Sequence, residues 1–246
     1  MLMPLEIIPV VVNNEVKKGD DLAKIFASSY KGLLDGDIVI ISQKIISKQE
    51  GRLVDLAGVI PSLLAVGIAT EYEKDPRLME VILSETKRII RMENRILIAE
   101  TRHGFICANA GVDESNLPHG FAAMLPENPD ASASNFRTSL QQMTGKQIAV
   151  LVADTFGRPF REGQTNCAIG VSGMNPINDY AGTKDTFGRT LRTTAIAEAD
   201  ELCGAAELVM KKTENCPFVL VRNFDFSASC DTVKPLIRAE KTDLFR

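Results

Sequence analysis

The sequence predicts a mixed α+β fold, and three observations carry the prediction. Short apolar runs of strand length occur at residues 37–42, 147–153 and 218–222. Charged stretches elsewhere carry apolar residues at helical spacing. The two kinds of segment intermingle without the regular strand–helix alternation that builds a doubly wound parallel sheet.

In chain order, residues 20–27 read as a helix opening after Gly19, with Asp20 or Asp21 at its N-terminus. Residues 37–42 (Asp-Ile-Val-Ile-Ile-Ser) follow Asp35-Gly36 and fit a buried strand, because the run is too short for a helix. Polar Gln43-Lys44 and Ser47-Lys48-Gln49-Glu50-Gly51-Arg52 come directly after it. Over residues 75–91 the positions Leu78, Val81, Ile82, Ile89 and Ile90 predict an amphipathic helix. Residues 95–98 and 105–108 read as strands. Residues 132–143 read as a helix with Asp130 or Ser132 as cap and Gly145 beyond its end. Residues 193–210 are Ala-rich and predict the best helix of the chain, and Pro217 opens a last strand over 218–222.

The 246 residues suffice for one large domain or two small ones with a real core. Hydrophobic residues at 45% and charged residues at 24% indicate a soluble globular protein. A net charge of −4 offers no broad basic face, so neither nucleic acid nor an anionic membrane is expected as partner. Positive charge for a substrate must then be local. The N-terminus lacks a basic region followed by a long apolar one, and no window approaches the roughly 18 apolar residues of a membrane span. A cytoplasmic setting is expected. Five scattered cysteines (Cys107, Cys167, Cys203, Cys216 and Cys230) form neither a disulfide framework nor zinc-ligand spacing, and each reads as a small buried residue.

Only two histidines occur, His103 and His119, and there is no tryptophan. A soft metal site is hard to build from that inventory. Any metal is expected to be a hard cation on carboxylate and hydroxyl oxygens, magnesium or manganese. A serine-hydrolase triad has no Gly-x-Ser-x-Gly to stand on. Thr144-Gly145-Lys146 lacks Walker A spacing and reads as a helix end, and no Gly-x-Gly-x-x-Gly follows a strand.

The strongest local feature is the apolar strand at residues 147–153 running into Asp154-Thr155-Phe-Gly-Arg158-Pro-Phe-Arg161-Glu-Gly-Gln-Thr-Asn166. Asp154 and Thr155 are sound oxygen ligands for magnesium, and Arg158 and Arg161 suit phosphate or carboxylate forks as catalytic groups. In this reading the strand ends at Asp154-Thr155 and a Gly/Arg loop follows; the structural alternative is a solvated loop with an Asx turn at Asp154. A second strand runs into Asn109-Ala-Gly-Val-Asp113-Glu-Ser-Asn116. Asp113 there is a second carboxylate able to share divalent ions over a triphosphate, or simply a helix cap. Lys48 could reach phosphate oxygens or lie on the surface. His103 could be a base or phosphate contact, or a hydrogen-bonded, partly buried histidine. The residues alone lead to metal-assisted phosphate or carboxylate chemistry.

The same segments resemble the coenzyme F420:L-glutamate ligase family. The likeness runs through Gly36-Asp-Ile-Val-Ile-Ile-Ser-Gln-Lys-Ile-Ile-Ser-Lys-Gln-Glu-Gly-Arg52, the stretches around Asp113 and Asp154, Leu125-Pro-Glu-Asn-Pro-Asp-Ala-Ser132 and Phe187-Gly-Arg189. It covers essentially the whole chain as a single ligase domain of one or two subdomains. It implies GTP-dependent addition of L-glutamate, and possible further γ-glutamates, to F420-0 by way of an acyl phosphate, giving GDP and phosphate. By the resemblance Asp113, Asp154 and Thr155 hold two divalent ions, magnesium or manganese, and a monovalent cation such as potassium is allowed. GTP is contacted by Gln43, Lys48 and Asn116, by Val12, Asn13, Asn14 and Glu15, and by Met210, Lys211, Lys212, Thr213, Glu214, Asn215, Cys216 and Pro217. The family implies a mixed-sheet, two-lobed α+β fold in an intertwined homodimer. Some relatives carry a fused flavin-binding domain, for which this chain is too short. Three positions depart from the family pattern: Val12-Asn13-Asn14 replaces a Gly-x-Pro-like turn, Lys211 a usual glycine, and Ala181 a usual basic residue. The alternatives are a paralogous amide ligase for another carboxylate, and a non-catalytic GTP-binding regulator.

Overall fold

The computed structural model describes residues 3–228 and 232–244, so Cys230 lies outside the described residues. The chain opens with β1 (Glu6–Val10), α1 (Leu22–Ser29), β2 (Ile38–Ser42), α2 (Gln43–Glu50) and β3 (Leu53–Asp55). It continues through α3 (Leu63–Tyr72), α4 (Pro76–Glu85), β4 (Thr86–Glu93), β5 (Ile96–Thr101), β6 (Ile106–Ala108) and β7 (Phe121–Ala123). Then come α5 (Pro129–Thr144), β8 (Ala149–Arg158), β9 (Arg161–Ser172), β10 (Asn178–Asp179), β11 (Ala195–Ile196), α6 (Glu198–Met210) and β12 (Phe218–Arg222).

The architecture is mixed α+β, as the intermingled patterns predict. One five-stranded sheet has the order β1-β12-β2-β8-β9, with β2 and β8 parallel and every other pair antiparallel. Its inner strands are the apolar runs of the sequence: Ile38–Ile41, Ala149–Val152 and Phe218–Val221 are wholly buried. Strands covered on both faces need no alternation, which is why these read as unbroken apolar runs. Phe26 of α1, Phe136 of α5 and Phe218 of β12 meet with ring centroids 5.4–6.0 Å apart and join helices to sheet. The buried Asp37 carboxylate accepts from Arg222 Nε at 2.9 Å and Nη2 at 2.7 Å, closing the β2–β12 edge.

A second apolar cluster forms around the β4-β5-β6 sheet, with Ala65 and Ala69 of α3, Met79 and Ile82 of α4, and Leu97 and Ala99 of β5. Among the described residues no helix is long and apolar enough to cross a membrane.

Several boundaries differ from the sequence expectation for identifiable reasons. The helix expected over 75–91 stops at Glu85 and becomes β4. Thr86 leaves helical geometry, its hydroxyl donating back to the Ile82 carbonyl at 2.7 Å, and pairing with β5 takes Ile89 into a sheet. The helix expected over 193–210 begins only at Glu198, because Ala195-Ile196 pairs with Asn178-Asp179. Helix α5 starts earlier than 132, with Pro129 in its first turn and the Asn128 side chain accepting from Ala131 N at 3.1 Å. Asp130 does not cap it. Its carboxylate accepts from the backbone N–H of Val171 at 2.9 Å and of Val233 at 3.0 Å. Of the two candidates for α1, Asp21 is the cap. Gly145 ends α5 in the left-handed conformation, as expected.

The largest correction concerns the segment after residue 153. It is no Gly/Arg loop: β8 runs on to Arg158, turns through Pro159-Phe160, and returns as β9. Asp154 and Thr155 therefore sit in mid-strand, opposite Cys167 and Asn166.

Candidate active site

A cleft of ≈ 990 Å³ opens where β2 ends and its parallel pairing with β8 stops at Ala153, and the loop after β6 closes one side of it. Parallel strands present their carboxyl ends on the same edge, so the turn into α2 and the continuation of β8 arrive side by side. Helix α2 begins at once after β2, and its four-residue spacing sends Gln43 and Ser47 inward. Gln43 Nε2 donates to Ser47 Oγ at 2.6 Å and to the Met124 carbonyl at 3.2 Å. The same spacing brings Lys44 and Lys48 to the cleft.

Asp113 is presented by a turn in which Asn109, Ala110 and Gly111 all have positive φ, at 52°, 52° and 75°. A side chain at Gly111 would put its Cβ 2.7 Å from Leu125 Cγ, so the tight approach of this turn requires glycine. Backbone bonds to Ala123 at 3.0 and 2.8 Å then fix Asp113 itself. Its Oδ1 accepts from Ser115 N at 2.8 Å, while Lys44 Nζ donates to Oδ2 and also to the Ser115 carbonyl at 2.6 Å. Burial opposes ionisation of Asp113, but the Lys44 ammonium and the Ser115 hydroxyl and N–H outweigh it and hold the carboxyl below its usual range.

Asp154 has the opposite character. Part of the residue faces the cleft, yet protein packs densely around the carboxyl. Desolvation pushes its pKa up to about 6; the neighbouring Asp113 charge adds to the rise, and the Thr155 N–H, Lys44 and Lys212 offset part of it. Burial also pushes the thiol of Cys107, which lines the cleft, up to about 12, so it stays protonated. Thr155 Oγ1 lies 2.6 Å from Asn166 Oδ1 and 2.9 Å from Lys212 Nζ.

The remaining candidates fall into two groups. Val12, Asn13, Asn14 and Glu15 line the cleft beside Met210, Lys211, Lys212, Thr213, Asn215, Cys216 and Pro217, and Val12 N donates to the Asn215 carbonyl at 2.9 Å. Lys48 Nζ lies 3.3 Å from Glu15, and Asn116 Nδ2 donates to the Lys212 carbonyl at 3.1 Å. Glu214 is not among the lining residues. Arg158 and Arg161 stand at the tip of the β8–β9 hairpin, away from the lining, and Arg158 Nη2 donates to the Glu162 carbonyl at 2.8 Å. His103 is partly buried, stacks on Phe105, and has its Nε2 3.0 Å from the Glu127 carbonyl.

The sequence reading missed Lys44, Ser115, Asn166 and Glu207 as members of this site. Lys44 had a readable signal, since Gln43/Ser47 and Lys44/Lys48 are interleaved i,i+4 pairs on one short helix. Glu207 had none, because it meets Asn166 only across the fold, at 2.9 Å.

The oxygen donors fit a hard cation. Two carboxylates and a hydroxyl converge, and ammonium groups already stand on two of them, Lys44 at Asp113 and Lys212 at Thr155. Among the described residues no three His, Cys, Asp or Glu side chains are placed to hold a metal ion by themselves. Such a site suits magnesium or manganese, which complete their shells with water and phosphate oxygens rather than with an all-protein cage.

The profile of the F420-0:gamma-glutamyl ligase family matches residues 11–223. The chain is 46% identical to the coenzyme F420:L-glutamate ligase of Methanothermobacter thermautotrophicus over 94% of each chain. It is 44% identical to that of Methanocaldococcus jannaschii over 86% of this chain and 85% of the relative. With the Methanopyrus kandleri protein the identity is 42% over 100% and 99%. The chain belongs to the F420-0:gamma-glutamyl ligase family.

Proposed function

We propose that this member of the F420-0:gamma-glutamyl ligase family joins L-glutamate to coenzyme F420-0 through an amide bond, using GTP and releasing GDP and phosphate. The observation that carries the nucleotide chemistry is the convergence of Asp113, Asp154 and Thr155 with Lys44, Lys48 and Lys212 on one cleft. A triphosphate needs both partners at once, hard cations held by oxygens and fixed ammonium charges.

In the first step a carboxylate oxygen of F420-0 attacks the γ-phosphorus of GTP. The bond to the GDP oxygen breaks and an acyl phosphate forms. The glutamate amine then attacks the acyl carbon, the carbon–oxygen bond to phosphate breaks, and the amine loses a proton to water. Asp113, Asp154 and Thr155 are the residues that would hold magnesium or manganese, which supplies charge neutralisation over the triphosphate. Lys48 and Lys44 draw phosphate oxygens to the α2 side, and Lys212 does so from the opposite wall. Gln43, Asn116 and the backbones of 12–15, 210–213 and 215–217 enclose the nucleotide. Potassium belongs to the same proposal as an accessory ion.

An intertwined homodimer is the second part of the reading, supported by large apolar side chains left exposed at Leu63 and Phe187. In it the hairpin-tip arginines Arg158 and Arg161 serve the anionic acceptor rather than the nucleotide. Residues 1–246 act together as one ligase domain in a reducing cytoplasm, in keeping with free thiols at Cys107, Cys167, Cys203 and Cys216.

The test is mass spectrometry of F420-0 incubated with the chain, L-glutamate, GTP and magnesium. Glutamate addition that requires GTP is expected. Unmodified F420-0 under these conditions, with the chain folded, would overturn the proposal.

A further inference from the structure

Thr155 is held in a closed ring of four side chains whose hydrogen-bond directions are forced by chemistry. Lys212 Nζ can only donate, and it lies 2.9 Å from Thr155 Oγ1 and 2.7 Å from Glu207 Oε1. The Asn166 amide lies between the two, with Nδ2 2.9 Å from Glu207 Oε2 and Oδ1 2.6 Å from Thr155 Oγ1. A carboxylate accepts, so the Asn166 NH₂ must face Glu207 and its oxygen must face Thr155. The hydroxyl proton of Thr155 is therefore committed to Asn166. One lone pair takes the Lys212 ammonium, and the second is left for the cleft that Thr155 lines.

We propose that Asn166 and Glu207 are positioning residues that fix the Thr155 hydroxyl as an acceptor toward the cleft and tether Lys212 beside it. This rests on the reading of Thr155 as a divalent-cation ligand. Without Asn166 the hydroxyl proton is free to turn into the cleft, where it repels a cation. Asn166 is only 4% exposed and holds no charge, so its role is directional. Glu207 sits in the last turn of α6 and carries the direction from that helix to the sheet. Outer partners that orient a metal ligand typically change metal affinity by about 10- to 100-fold.

The test is binding of Mn²⁺ alone to the full chain, followed by the loss of free-ion EPR signal, with thermal melting as the check on folding. Asn166→Leu should weaken Mn²⁺ binding about tenfold or more. The double exchange Asn166→Asp with Glu207→Gln keeps an acceptor for Thr155 and a donor–acceptor pair between 166 and 207, so it should restore binding to within a few-fold. Where Asn166→Leu does not fold, Asn166→Ala takes its place. Thr155→Val separates the two readings. If it weakens binding and the Asn166 variants leave binding unchanged, the positioning role is overturned while the ligand role stands. If Thr155→Val itself binds Mn²⁺ normally, both fall.

Discussion

Replacing Asp154 by asparagine should stabilise the metal-free protein at neutral pH while abolishing its ligase turnover. The side chain is buried enough to push its pKa from 3.8 to about 6. The folded protein therefore keeps this proton at pH values where the unfolded chain has lost it. Stability from protonated Asp154 is complete below pH 3.8 and is lost as pH rises through about 6. At about 1.4 kcal/mol per tenfold change, the full penalty at neutral pH is about 3 kcal/mol. Part of the residue faces the cleft, so screening reduces the expected gain to about 1–2 kcal/mol. The neutral amide keeps nearly the same shape and removes that penalty. Urea unfolding in EDTA at pH 7.5 checks it: the midpoint should rise by roughly 0.5 M for a slope of about 2–3 kcal/mol/M. At pH 4 the advantage should nearly vanish. A variant less stable than the parent at pH 7.5, or an equal gain at both pH values, would refute the argument that burial of charge dominates at this position. Metal affinity follows the opposite sign, falling as pH drops below about 6 because a proton then occupies the ligand.

Lys48→Ala removes one charge-assisted contact worth about 1.5 kcal/mol, so the KM for GTP should rise about tenfold while kcat changes little. Steady-state kinetics in GTP checks this, and an unchanged KM returns Lys48 to a surface role. Lys211 has φ 53° and ψ −169°, a backbone region that strains any residue with a Cβ. Lys211→Gly should relieve that strain and, after the entropic cost of glycine, raise the melting temperature by about 2–4 °C. A lower melting temperature would count against strain at that turn. Gly170 of β9 packs on the first turn of α5 so closely that a Cβ would lie 2.6 Å from the Pro129 carbonyl carbon. Gly170→Ala should cost about 1–3 kcal/mol in urea unfolding, and a neutral result would show that the α5–β9 contact yields easily.

The inner strands were legible from residue pattern, because residues buried on both faces must be apolar throughout and short runs of Ile, Val and Leu have few other uses. Residue inventory also limited the donors: with two histidines in the chain, a metal site would have to be built from oxygens, and Asp113, Asp154 and Thr155 line a single cleft. The family was legible for the same reason, since motifs around those residues are long and specific. Where pairing partners lie far apart in sequence, local pattern was insufficient. Residues 86–91 end the apolar spacing that predicts a helix over 75–91, and they form a strand because β5 is there to pair with them. The segment after Ala153 has the glycines and arginines of a loop and becomes a hairpin because β9 returns beside it. Tertiary structure alone decided which cations serve the site. Lys44 and Lys48 are neighbours on α2, but only the fold sets Lys44 against Asp113, 69 residues away, and Lys48 against Glu15. It alone decided that Arg158 and Arg161 stand outside the cleft and that Asn166 and Glu207 meet. Burial and hydrogen-bond direction belong to the assembled fold, and they are what separate two chemically identical carboxylates, Asp113 held ionised by a lysine and Asp154 held protonated to about pH 6 by desolvation.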